Sequence, residues 1–229
     1  MKKNTSFLTD LFIFLVILFF FLIPPFFAPQ ISENNSPFLA WHFPSRQLIY
    51  ALFAFSLYFF YRNRVFSYEK RTINKIFRFP LIFTFSILFF IQLIFKVISI
   101  SDNYFSQNQN SMDFQANILL PDTFFTWFFC ILNFLFSAFF EEIIYRFYLP
   151  LILHSFFKRN AQENKAVFVI IEIVCCLLFA FSHLYLGFLS VLNAFFAHIV
   201  LRSSFFVSRN IYCNTAAHFL YNVISLILL

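Results

Sequence analysis

Glycine occurs once in the 229 residues, at Gly187, and charged side chains make up only 11% of the chain. Without glycine, close helix-to-helix contact has to rest on alanine and serine, as at Ala194, Ala197, Ser203 and Ser204. Scarce charge, beside 61% hydrophobic residues and several apolar runs that approach a bilayer core in length, excludes an ordinary soluble domain. It predicts an all-α fold, a polytopic transmembrane helical bundle, because lipid admits only helices or closed barrels. Cysteine is sparse too: Cys130, Cys175, Cys176 and Cys213 lie in or beside apolar runs with no CxxC pair, and free, buried thiols are expected. The 44 phenylalanines supply bulk, facing lipid or filling the core, and name no ligand.

The apolar runs read as about seven spans, near 8–28, 44–61, 79–100, 126–153, 168–187, 188–207 and 210–229. Spans with such short loops leave no room for a separate soluble module. The net charge of +6 invites a nucleic-acid reading, yet Arg62, Arg64, Lys70, Arg71, Lys75 and Arg78 fall in one loop between spans. The positive-inside rule accounts for such a loop, and no nucleic-acid partner is expected. By the same rule Lys2, Lys3, Lys158, Arg159, Lys165 and Arg209 are cytoplasmic. Loop 101–122, with Asp102, Asp113 and Asp122 and no Lys or Arg, is outside. The amino terminus is thus placed in the cytoplasm and the carboxyl terminus outside. The first span starts MKKN like a signal peptide, but no small-x-small cleavage site follows Pro24, Pro25 and Phe26. An uncleaved anchor is expected, kinked or ended by the two prolines.

Within this oil Glu141 and Glu142 stand adjacent, with Arg146 one turn on, in a run otherwise apolar from Phe124 to Phe157. Charges at that depth are rare and usually functional. Phe179 and His183, then His218 and Asn222, are each four residues apart and so share a helix face. Glu142 and Arg146 can pair and offset each other's burial. Glu141 points about 100° away and keeps no intrahelical partner, which suits it to proton transfer. The inventory fits a hydrolytic site: Glu141 as general base, His183 as the second group holding the water, His218 and Asn222 donating to the oxyanion. Excluding bulk water strengthens each interaction.

Singly, each pattern has a plainer explanation. The Glu-Arg pair can be a packing element, His218 with Asn222 interhelical glue, and His42, His154 and His198 hydrogen-bonded helix contacts. The ordered set on separate spans favours catalysis. Spans starting at Asp122 and Lys165 would hold Glu141 and His183 at different depths. Sliding span four towards Leu153, and starting the buried part of span five near Ile171, brings both to mid-membrane. Glu172, eleven residues before His183 and on the same face, either lines a polar entrance or sits at the interface near Lys165.

Glu141-Glu142-x-x-x-Arg146, Phe179-x-x-x-His183 and His218-x-x-x-Asn222 resemble the three motifs of the CAAX prenyl protease type II and bacteriocin-processing group, the CPBP or Abi intramembrane proteases. The resemblance covers residues from about 122 to 229, which would form the catalytic core, with 1–121 as N-terminal transmembrane helices of the bundle. It implies an endopeptidase of a membrane, expected to be a bacterial inner membrane, acting on a membrane-associated or lipidated peptide. Glu141 and His183 would activate water, His218 and Asn222 would stabilise the oxyanion, and Glu142, Arg146 and Phe179 would shape the site. Members often carry glycine after the motif arginine, where this chain has Phe147. His198 and Arg202 are also unusual and either enter the cavity or reach an interface. The family has a metalloprotease label and also a proposed metal-free glutamate mechanism. Glu141, His183 and His218 with a water match the inventory of a divalent metal such as zinc, although not as an HExxH helix. A non-catalytic membrane adaptor or immunity-type protein keeping the fold is the alternative. A transporter is the weaker third reading, for want of an evident internal repeat.

Overall fold

The structure is a computed structural model and describes residues 7–29, 43–65, 80–106, 120–157 and 165–228. The chain forms α1 (Phe7–Ile17), α2 (Ser45–Val65), α3 (Pro80–Ser106), α4 (Phe124–Glu141), α5 (Leu149–Phe157), α6 (Lys165–Phe181), α7 (Phe188–Ser208) and α8 (Ile211–Leu228). A π turn, Leu18–Leu22, and a 3-10 turn, Pro24–Phe27, extend α1, and a π segment, Glu142–Tyr148, joins α4 to α5. No strand occurs among the described residues. Six stretches are long and apolar enough to cross a membrane: Phe7–Phe27, Pro80–Ser101, Phe124–Phe157, Lys165–Leu186, Phe188–Ser208 and Ile211–Leu228. The expected second span, α2, is helical, but Arg46, Arg62 and Arg64 lie towards its ends and it is not among the six. The chain is an integral membrane protein built as a helical bundle.

Local chemistry sets the element ends. Thr123 caps α4 reciprocally with Thr126: its hydroxyl accepts from the Thr126 N–H at 3.2 Å, and its own N–H donates to Thr126 Oγ1 at 2.9 Å. Pro24 and Pro25, lacking N–H groups, end the first rod in the 3-10 turn, as expected. Gly187, at φ 97°, turns the chain from α6 into α7 through the 3-10 turn Leu184–Leu186, a conformation a side chain would disfavour. Arg209 takes a left-handed conformation after α7, and Asn210 Oδ1 then caps α8 by accepting from the Tyr212 and Cys213 N–H groups.

Two apolar clusters form. In the larger, Ile17 and Leu22 meet Ala54, Leu57 and Tyr61 of α2, and these meet Ile143, Ile144 and Tyr148 of the π segment. The smaller joins Leu88 of α3 to Ala197 and Leu201 of α7 and Ala217 and Tyr221 of α8. Ala194, Ala197 and Ser204 are buried as close contacts, whereas Ser203 is exposed. Phe12, Phe20, Phe90 and Phe124 face outwards, while Phe147 and Phe179 fill the interior. Cys130, Cys175 and Cys176 are buried and free, and Cys213 is partly exposed. Lys2, Lys3, Lys70, Arg71, Lys75, Arg78, Asp113, Lys158 and Arg159, on which much of the orientation rests, lie outside the described residues, as does His42, read as a helix contact.

Candidate active site

Pro150 explains why the polar residues sit on a widened turn. Proline has no N–H to give the carbonyl four residues back and its ring crowds that carbonyl, which here belongs to Arg146. The backbone responds with π bonding, the Leu149 N–H reaching Ile144 O five residues earlier. Arg202 of α7 supplies the missing donor, its Nη1 lying 2.6 Å from Arg146 O, while Nε and Nη2 grip the Glu172 carboxylate at 2.7 and 2.6 Å. Glu172 is thus an ion-pair partner, and the pair anchors the π segment between α6 and α7.

Glu142 is completely buried. Its Oε1 accepts from His218 Nδ1 at 2.8 Å and lies 3.5 Å from Arg146 Nε, and its Oε2 accepts from Asn214 Nδ2 at 3.2 Å. Arg146 is equally buried and lays its guanidinium 3.8 Å over the Phe179 ring, a desolvated cation–π contact. Phe179 also touches His183 and His218, with ring centroids 4.7 and 6.2 Å away. It is the apolar hub of the cluster.

Glu141 stands apart, as its angular position requires. Its carboxylate is 22% exposed and Oε2 lies 3.7 Å from His218 Nε2, a buried oxygen with no hydrogen-bond partner. His218 therefore sits between the two glutamates, one ring nitrogen on each. His183, Tyr145 and Tyr185 are within electrostatic reach of Glu141. Glu141 and His183 come within reach of each other, as the shifted span boundaries allow, and the helical rod Phe124–Phe157 is 34 residues long and pins neither end of the polar stretch to a membrane face.

His183 departs from the expected helix face. α6 ends at Phe181, and His183 follows in the turn that leads to Gly187. Its ring folds back, with Nδ1 2.9 Å from Phe179 O, so the carbonyl fixes the hydrogen on Nδ1 and leaves the Nε2 lone pair available. Asn222 is partly buried one turn beyond His218 and makes no hydrogen bond among the described residues. Asn214 holds the buried carboxylate, a role the sequence reading did not assign to it. Its four-residue spacing before His218 is the same signal as His218 to Asn222.

His183 and His218 each give Nδ1 to a fixed acceptor and present Nε2, the arrangement typical of metal-binding imidazoles. Yet among the described residues no three His, Cys, Asp or Glu side chains stand close enough to hold a metal ion. Glu141 and His218 meet, and His183 does not complete a third ligand, so the placed residues do not fit the three-ligand zinc site.

Residues 123–224 match the family model for type II CAAX prenyl endopeptidase, Rce1-like. No curated protein and no solved structure matches the chain. The matched stretch runs from the Thr123 cap through Asn222 and holds every residue of this cluster, and over that stretch the chain is similar to the Rce1-like type II CAAX prenyl endopeptidases.

Proposed function

We propose that the protein is a membrane-embedded endopeptidase that cuts a membrane-associated or lipidated peptide with water activated by Glu141. One observation carries this reading: the Glu141 carboxylate keeps a buried, unpartnered Oε2 3.7 Å from His218 Nε2, while Glu142 holds the opposite nitrogen of that ring at 2.8 Å. A spare acceptor beside an oriented imidazole is equipped to take a proton from water.

In this mechanism the water sits between Glu141 and the His183 Nε2 lone pair. Glu141 takes its proton as the oxygen adds to the peptide carbonyl carbon. Charge develops on the carbonyl oxygen, where the Asn222 amide and a protonated His218 Nε2 donate hydrogen bonds. Glu142, on the far side of His218, stabilises the imidazolium and fixes its direction. Collapse breaks the C–N bond, and the proton on Glu141 passes to the leaving amine. Arg146 balances Glu142, and Phe179 packs the hub. No step is routed through a metal, because only two of the three candidate ligands meet. We place the protein in a bacterial cytoplasmic membrane with the amino terminus inside, a reading supported by Lys165 and Arg209 at one end of the bundle.

The test compares protein termini in membranes and medium from cells with wild type or Glu141→Gln, at matched expression. Loss of the general base is expected to lower cleavage by about 10²–10⁴-fold, so wild-type-only termini identify the substrate. Identical termini, in cells where Glu141→Gln rescues a deletion phenotype, would overturn the protease reading in favour of an adaptor.

A further inference from the structure

We propose that the cleft between α6 and α7 is a second, water-filled entrance that feeds the buried cluster from the end of the bundle bearing Lys165 and Arg209. This inference rests on the hydrolytic reading and gives that reaction its water supply. The cavity measures about 400 Å³; Phe168 and Phe206 wall it, Glu172, Arg202 and Ser203 line it, and His198 lies deepest along α7. His198 is ten residues from the Ser208 end of α7, about 15 Å along the helix.

The floor is where the polarity is unusual. His198 is 2% exposed, and neither of its ring nitrogens has a hydrogen-bond partner. The same holds for all three guanidinium nitrogens of Arg146 and for Glu141 Oε2. His198 lies 5.4 Å from the Phe179 ring, the ring that carries the Arg146 guanidinium on its face. Unsatisfied polar atoms therefore run from the cavity, past Phe179, to the carboxylate that takes the proton. Buried polar groups are almost always satisfied, so although the walls of the cleft are mostly apolar, water among Glu172, Arg202 and His198 is the partner that the His198 ring calls for. A neutral imidazole offers one donor and one acceptor, so His198 can pass a hydrogen-bonded chain through itself. Glu172 and Arg202 form a pair without net charge, which hydrates the passage without drawing an ion into it.

Each peptide bond cut consumes one water, and a substrate seated over Glu141 closes the approach on its own side. Water arriving from behind His198 keeps the reaction supplied while the substrate is bound.

Cysteine labelling with an anionic, water-soluble methanethiosulfonate tests the hydration without reference to activity. His198→Cys and Ser203→Cys probe the cleft. Phe196→Cys, two residues from His198 and 46% exposed on the outer surface, is the lipid-facing control. Membranes are opened so that both faces are reached, and peptide mass spectrometry assigns the label, which leaves the native cysteines in place. Modification at 198 and 203 at least about tenfold faster than at 196 is expected, since a thiol must ionise in water to react. Equally slow labelling at all three positions overturns the proposal. Ser203→Leu and Val207→Phe then narrow the passage by independent routes. A several-fold fall in kcat with KM unchanged is expected for both, and unchanged kcat in both overturns the supply role. If wild type cleaves nothing, the endopeptidase reading fails by itself and the labelling still decides whether the cleft is wet.

Discussion

Glu142 shows how much one buried carboxylate demands of its neighbours. In an apolar interior an unpaired carboxylate is far costlier than a paired one, and here His218, Arg146 and Asn214 converge on it. Removing one partner exposes that cost. Asn214→Leu is expected to destabilise the protein by about 1–3 kcal/mol, read as a shift in denaturant unfolding in detergent micelles. It should also lower cleavage, because His218 loses the fixed anion that directs it. Glu142, Arg146 and the spacing of His218 were legible in the sequence, since charges in an apolar run declare themselves. Asn214 was not, because asparagine at helical spacing is a common helix contact and only the fold shows it on a carboxylate. The two-ligand geometry also bears on metal dependence: a membrane-permeant zinc chelator is expected to leave cleavage of an identified substrate within about twofold, whereas removing a required catalytic metal abolishes it.

At the scale of elements, the π segment is the decisive feature, and Pro150 is its cause. A regular helix through Arg146 would give its carbonyl to residue 150; here the carbonyl goes to Arg202 instead. Pro150→Ala restores the donor and lets the turn tighten. The expected result is a thermal midpoint equal to or above wild type with cleavage lowered about tenfold or more, as happens when catalytic groups lose alignment while packing survives. Arg202→Met acts from the other side. It leaves Glu172 unpaired and the Arg146 carbonyl without its donor, and is expected to cost about 2–3 kcal/mol in the same unfolding assay, below the range for fully buried pairs because this one is partly exposed. Glu172→Gln, which keeps an acceptor for Arg202, should cost less. The rods themselves were read closely from hydrophobic runs. The π widening and the early end of α6 before His183 were not, because both depend on contacts made by side chains of other helices.

For the whole molecule, the lack of glycine is answered by polar relays. Thr84 of α3 donates to Ser204 of α7 at 2.7 Å, Ser204 donates to Asn214 of α8 at 2.9 Å, and Asn214 donates to Glu142. A second relay joins Tyr221, Asn193 and Gln92 across α8, α7 and α3 at 2.6 and 3.0 Å. Interhelical hydrogen bonds in bilayers are individually modest, so Thr84→Val is expected to cost about 1 kcal/mol, measurable by unfolding in bicelles. Its effect on cleavage should exceed that of a comparable change at an outward-facing residue, since the first relay ends on the site. The N-terminal helices thus touch the chemistry through α3, a link that the motifs between Glu141 and Asn222 do not disclose.

Composition and the spacing of a few polar residues determined by themselves that this chain is a helical membrane protein carrying a hydrolase-like polar set. The reason is physical: lipid restricts backbone to helices, and ionisable residues in apolar runs are too costly to occur by chance. Beyond the Glu142–Arg146 pair, which the spacing already offered, tertiary structure alone decided which partner each polar group takes. It set His218 between two glutamates, gave the Arg146 carbonyl a donor in Arg202, and led a cleft to His198. Hydrogen bonds and packing between helices act across long separations in sequence, where no periodicity records them.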